Sequence, residues 1–145
     1  MTDNFDYEGY RRTHRAQLQE KFRSPDFAAF AAYYGAKVPN GLKSLYECKD
    51  LLAQVTPVEI TDARGILEIR GFFPLTQEWI QANSCYHGKY FCFGSGLEAE
   101  SFLISIARPE QIFVDHNSDG TDIEEIPLMS FEKILNQTMK LCQQL

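Results

Sequence analysis

Three stretches of the chain carry residues whose types and spacing could do chemistry. The first is FVDHNSDGTDIEEI, residues 113–126. Asp115, Asn117, Asp119 and Gly120 fall at the first, third, fifth and sixth positions of D-x-[DN]-x-[DN]-G-x5-E, the EF-hand calcium loop. Such a loop completes its coordination shell with a bidentate Glu at position twelve and follows a helix. Counted from Asp115, position twelve is Ile126, while Glu124 and Glu125 arrive at ten and eleven. Position eight, normally apolar, is Asp122, and Ile123 comes one residue late. The run before the loop, QIFVDH, is β-branched and aromatic. Asn, Asp and Gly supply the left-handed and side-chain-capped conformations of a tight turn. The expectation is therefore strand–turn–strand with no metal. Weak adventitious cation binding is the alternative.

The second stretch, CYHGKYFC, brings Cys85, His87 and Cys92 close in sequence. They could be metal ligands, or a thiol beside an imidazole. No fourth ligand lies nearby, no third group is evident to orient the His, and Cys92 alternates with Phe91 and Phe93 as a core residue of a strand would. The third, GSG at 94–96, follows a strand pattern but leads through LEAE into another strand, whereas a phosphate-cradling loop must open a helix. It reads as a turn. GxSxG, HExxH and Walker patterns are absent, and no isolated acid sits in an apolar run as a tuned catalytic carboxylate would. These readings predict no catalytic residue and no cofactor.

Charge is unevenly placed. The net charge is −6, yet residues 95–126 hold eight acids (Glu98, Glu100, Glu110, Asp115, Asp119, Asp122, Glu124 and Glu125) against Arg108 alone, a local −7 that leaves +1 elsewhere. Such a stretch repels phosphates, so no nucleic acid is expected there. It suits a basic partner or a solvated surface. Residues 11–23 hold five Lys/Arg and one Glu, the usual look of a solvated helix face.

These groups must be positioned by one domain, because 145 residues is an ordinary single-domain length. A chain of this size buries roughly 68–70% of its unfolded surface. With 44% hydrophobic and 13% aromatic residues the composition is globular. No apolar run has the length of a membrane span, so no membrane partner is expected. The opening MTDNFDYEGYRRTH does not look like a secretory signal, so the expected setting is cytoplasmic, with Cys48, Cys85, Cys92 and Cys142 reduced. Cys48 and Cys142 fall on apolar helix stripes and read as small core residues.

Along the chain, residues 1–12 show no period and read as an irregular arm. Residues 13–23 form a short helix with Leu18 and Phe22 as an i, i+4 pair. Ser24-Pro25-Asp26 reads as N-cap, first-turn proline and first-turn acid for a helix carrying Phe27, Phe30, Ala31 and Tyr34, stopped by Gly35. A second helix is capped by Asn40, with Leu42, Leu45, Tyr46, Lys49 and Leu52 as its stripe. From Pro57 the period becomes two. VEIT and ILEIRGFF are strands with a turn over 62–65, PLTQEWIQA is a short helical connection, and KYFCFG, FLISI, QIFVDH and IEEIP are consecutive antiparallel strands. SFEKILNQTMKLCQQL closes as a helix capped by Ser130, with Phe131, Ile134, Leu135, Thr138, Met139 and Cys142 on one stripe. The expected fold class is α+β, a mostly antiparallel sheet with helices packed against it.

Three stretches in series resemble a family. YYGAKVPNGLKSLYE is similar to its opening, YFCFGSGLEAESFLISI to its middle, and QIFVDHNSDGTDIEEIPLMSFEKIL to its close. The family is the SUKH superfamily, which includes Smi/Knr-like cell-wall regulators of fungi and many bacterial immunity proteins. The likeness covers roughly residues 24–140, with 1–23 as an arm or short helix outside it. CKDLLAQV stands where the family usually has Asn-Gly.

The resemblance implies a single α+β domain with a curved sheet and no catalysis. In bacterial members it implies binding and neutralisation of a co-encoded toxin, often a nuclease. A nuclease is basic around its phosphate site, and an acidic protein would be steered to it. On charge alone, the residues expected to meet it are Glu98, Glu100, Asp115, Asp119, Asp122, Glu124 and Glu125. The first alternative is a regulatory or scaffold module that binds an endogenous protein. A small metal-dependent or thiol enzyme on Cys85, His87 and Cys92, or on the 115–125 loop, is the third reading.

Overall fold

Helical and alternating hydrophobic spacing divide the chain near Val58, and the fold follows that division. The computed structural model describes residues 7–52, 58–62 and 65–143. It begins with α1 (Tyr7–Thr13) and α2 (Arg15–Arg23). The expected irregular arm is thus helical from Tyr7. Its signal was a single i, i+4 aromatic pair: Tyr10 and His14 stack with centroids 4.2 Å apart, and the His14 N–H donates to the Tyr10 carbonyl at 2.9 Å. Phe22 anchors α2 in the core against Tyr46. The side chains of Leu18 and Cys142 lie outside the described residues.

α3 (Phe27–Tyr34) is capped by Asp26 rather than Ser24, because the Asp26 carboxylate accepts from the Ala29 N–H at 2.9 Å. Gly35 ends it at φ +66, donating to the Ala31 carbonyl at 2.9 Å, as a left-handed stop should. The expected second helix begins at Asn40, with Pro39 in the cap position, but breaks into α4 (Asn40–Tyr46) and α5 (Lys49–Leu52). Between them Glu47 and Cys48 donate to Ser44 and Leu45, three residues back, at 3.2 and 3.0 Å. That is the tighter 3₁₀ pattern. The apolar stripe survives the break: Leu42, Leu45, Tyr46 and Leu52 are all buried, as is Cys48.

β1 (Val58–Asp62) and β2 (Gly65–Ile69) form an antiparallel hairpin. The run ILEIRGFF is not one strand. It parts at Arg70, and β3 (Gly71–Phe72) joins a different, five-stranded sheet. There follow α6 (Gln77–Ala82), a 3₁₀ turn (Asn83–Tyr86), β4 (Tyr90–Ser95), β5 (Ser101–Ser105), β6 (Gln111–Asp115), β7 (Ile123–Ser130) and α7 (Phe131–Gln143). The sheet is an antiparallel meander in the order β3-β4-β5-β6-β7. Ser130 caps α7 as expected, accepting from the Lys133 N–H at 3.3 Å. The class is α+β in one domain, with helices against an antiparallel sheet.

Strand alternation sends the sheet's residues to two cores. On one face Phe91, Phe93, Phe102, Ile104, Ile112 and Val114 pack with the helices, Phe30 of α3 edge-on to Phe91 and Phe131 of α7 edge-on to Phe93. On the other, Cys92, Leu103 and Phe113 pack with Tyr86, and Phe73 and Trp79 lie against them. Burying a Phe of this kind is worth about 1.5–3 kcal/mol, so the aromatics on and around β4 stabilise much of the domain.

Because β3 and the residues flanking it bond β4 only from Phe93 to Ser95, among the described residues no strand lies beside the outer edge of 90–92. Side chains take the strand's place. Asn83 accepts from the Cys92 N–H at 2.8 Å, the Trp79 indole donates to the Cys92 carbonyl at 2.9 Å, and the Tyr34 hydroxyl donates to the Tyr90 carbonyl at 3.0 Å. This removes an open edge that would otherwise invite pairing with another chain. It also fixes the 3₁₀ turn against the sheet, beneath the acidic segment.

Candidate functional site: the acidic end of the sheet

Antiparallel pairing places the acids. Ser101 of β5 lies opposite Asp115 of β6, so the β4–β5 turn (96–100) and the β6–β7 turn (116–122) leave the sheet at the same end. The two turns are laced together. The Ser118 hydroxyl donates to the Ala99 carbonyl at 2.8 Å, and the Ser101 hydroxyl bonds Ser118 Oγ at 2.8 Å. Each turn is also closed internally: the Gly96 N–H donates to the Glu100 carbonyl at 3.0 Å, and the His116 N–H to the Asp122 carbonyl at 3.0 Å.

The resemblance of 115–126 to a calcium loop has a structural origin. The Asp115 side chain is 0% exposed. Its Oδ2 accepts from the Tyr86 hydroxyl at 2.8 Å and from the Gly120 N–H at 2.7 Å, and Oδ1 accepts from the Asn117 N–H at 3.2 Å. The first Asp of the pattern is thus the internal cap of a turn. Gly120 is required twice: its φ is +87, and a Cβ there would stand 3.0 Å from the Cys85 carbonyl oxygen. Asp119 performs a smaller version of the same task, accepting from both the N–H and the hydroxyl of Thr121. Those hydrogen bonds hold its carboxyl below the usual carboxylate range.

The seven residues expected to meet a partner therefore separate into three groups. Glu98, Asp119, Asp122 and Glu124 are exposed at the acidic end, with Glu100 half-exposed among them. Glu100 folds over Gly96, where any side chain would run into its carboxylate. Burial, then the neighbouring Glu98 charge, push its pKa up. Asp115 is corrected out of the contact set, since it lies under the turn and faces Tyr86. Glu125 is on the opposite face of β7 from Glu124, across from Phe113, and its carboxylate pairs with Arg108 at 3.2 Å. Its charge is compensated away from the end. Neither turn contains Lys or Arg; the only basic neighbour within them is His116, whose Nε2 is 3.7 Å from Glu124.

One residue of this surface was missed on sequence. Leu97 is 60% exposed, the most exposed of the large apolar side chains among the described residues. It stands in the β4–β5 turn directly before Glu98. The available signal was a Leu outside the alternation of either flanking strand.

The thiol and imidazole stretch does not assemble into a reactive group. Cys85 and His87 are exposed, and His87 takes a left-handed conformation at φ +54. Cys92 is buried on the sheet face, with its thiol 3.4 Å from the Gly94 carbonyl. Burial pushes the Cys92 thiol up to about 12, and burial with the nearby Asp115 charge raises that of Cys85. A nucleophilic thiolate needs the opposite shift. Among the described residues no three His, Cys, Asp or Glu side chains converge as a metal would require. The 94–96 glycines lead from β4 through a turn into β5.

Among the described residues no helix is long and apolar enough to cross a membrane. No family model, curated protein or solved structure matches the chain.

Proposed function

We propose that the chain is a cytoplasmic immunity-type binding protein of the SUKH superfamily. In this reading it has no reaction of its own and neutralises a cognate toxin, of nuclease type, by covering its basic active-site cleft. The observation that carries the reading is the acidic end of the sheet. Glu98, Glu100, Asp119, Asp122 and Glu124 lie with an exposed Leu97 at the same end of the sheet, on or beside two turns that brace one another. An apolar anchor in an acidic rim suits a cationic cleft: the acids speed encounter and set orientation, and the anchor supplies desolvated contact. Rigid turns lower the ordering cost of association. The series of SUKH-like stretches over 24–140 supports the same reading.

The test is capture from the native organism at low salt, with this protein as bait and mass spectrometry of what is retained. A single basic toxin domain encoded beside this gene is expected. With that domain in hand, Glu98→Lys, Asp119→Lys and Asp122→Lys together should slow association at least about tenfold and weaken its salt dependence. Leu97→Asp should speed dissociation. Capture of only housekeeping proteins from cells expressing the neighbouring genes would replace this reading with a regulatory module for an endogenous partner.

A further inference from the structure

The opposite end of the sheet carries a second surface of different character. There the start of α4, the start of α7 and the β5–β6 turn leave an apolar groove of about 290 Å³, lined by Pro39, Leu42, Ile104, Pro109, Phe131 and Leu135. Its walls are fixed. The Phe131 N–H donates to the Glu110 carbonyl at 2.9 Å, tying α7 to the turn. Gly41 lies so close to the Phe131 ring that a Cβ would stand 2.9 Å from it. The two charged residues that line the groove, Glu110 and Glu132, are both exposed acids. Two nearby cations are directed elsewhere: Arg108 pairs with Glu125, and Lys43 sits over the Phe27 ring.

We propose that this groove docks a peptide segment of a partner protein presenting one large apolar side chain between Lys or Arg residues. A preformed apolar slot near the lower limit of ligand-pocket size (about 300 Å³) takes one anchor side chain rather than a drug-sized molecule. Its carboxylate rim selects cationic flanks and rejects anionic ligands. β5 separates the groove from the acidic end by roughly 17 Å at about 3.4 Å per residue. The groove is therefore a distinct contact, and its occupancy does not depend on what the acidic end binds.

The probe is a pair of synthetic nonapeptides with a central Leu, one flanked by Lys and one by Asp, titrated into the ¹⁵N-labelled full chain. The Lys-flanked peptide is expected to shift the amides of Asn40–Leu42, Ile104, Glu110 and Phe131–Leu135, and the Asp-flanked peptide to leave them in place. Glu110→Lys with Glu132→Lys should weaken binding about tenfold. Asn40→Trp, a change at an exposed lip residue, should block the slot without touching the core. Equal binding of both peptides, shifts confined to Leu97–Glu100 and Asp119–Asp122, or no shift at millimolar peptide would each overturn the proposal.

Discussion

Asp115→Asn separates a turn held by a buried carboxylate from a loop that is merely acidic. Asp115 accepts three hydrogen bonds: two at Oδ2, from the Tyr86 hydroxyl and the Gly120 N–H, and one at Oδ1, from the Asn117 N–H. Asparagine has one acceptor oxygen and one NH₂, so whichever way it turns, the NH₂ meets a backbone N–H. The cheaper orientation gives up the longest bond, to Asn117 at 3.2 Å. The two bonds that remain become neutral. Hydrogen bonds to a charged group are worth about 1.5–3 kcal/mol and neutral ones about 0.5–1.5. At mid-range the lost bond costs about 2 kcal/mol and each weakened bond about 1, so the losses sum to about 4 kcal/mol, and removing a buried charge returns part of its desolvation cost, leaving about 2 kcal/mol. In a domain of this size that is a fall in Tm of about 4–8 °C.

The assay is urea and thermal unfolding at neutral pH, followed by far-UV circular dichroism and by the fluorescence of Trp79, the single Trp. Tyr86→Phe should cost about 1–2 kcal/mol, and the double variant should fall short of additivity because the two residues share a bond. A stability change for Asp115→Asn within about 0.5 kcal/mol, or full additivity, would refute the assignment of Asp115 as the turn's internal cap. The carboxylate is buried, and three of its roughly four acceptor sites are already taken, which disfavours a cation there. Calcium at about 5 mM, enough for even a weak site, should leave the Tm unchanged to about 1 °C, and a rise of several degrees would show that the loop binds metal.

Other outcomes follow from the same geometry. Gly120→Ala should destabilise by about 1–2 kcal/mol from its backbone conformation, plus the contact with the Cys85 carbonyl, read as a lower urea midpoint. Alkylation with peptide mapping should modify Cys85 in the native protein at pH 8, more slowly than a free cysteine because its pKa is raised. Cys48 and Cys92 should react only on unfolding; fast native labelling of Cys92 would contradict its burial. Glu100 has a folded pKa above its unfolded one, so its penalty is absent below the unfolded value and sets in as pH rises through the folded one. Glu100→Gln should therefore raise the Tm slightly at pH 7 and leave it unchanged near pH 3, whereas a gain at pH 3 alone would reverse the sign. Trp79→Phe leaves the Cys92 carbonyl without its indole donor and should cost about 1–3 kcal/mol in urea unfolding.

The elements with strong periodicity were legible in the sequence, and the boundaries set by single hydrogen bonds were not. Alternation in KYFCFG, FLISI and QIFVDH located β4, β5 and β6, because each strand has both faces covered and a slip of one residue would exchange its two cores. The break between α4 and α5 rests on two i→i−3 bonds at Glu47 and Cys48, which no apolar pattern records. The move of the α3 cap from Ser24 to Asp26 likewise turns on one bond to Ala29. At the acidic end, charge located the turns but did not sort the acids. Part of the sorting was available: Phe113 and Asp115 share a face by strand alternation, so Asp115 had to point where Phe113 does, inward. What that direction meets was not available, since Tyr86 is 29 residues earlier and reaches the site only because Asn83 and Trp79 bind the open edge of β4. An acid at the end of an apolar strand is therefore better read by its register than by its charge. Here register separates the buried carboxylate beneath the turn from the exposed acids around it.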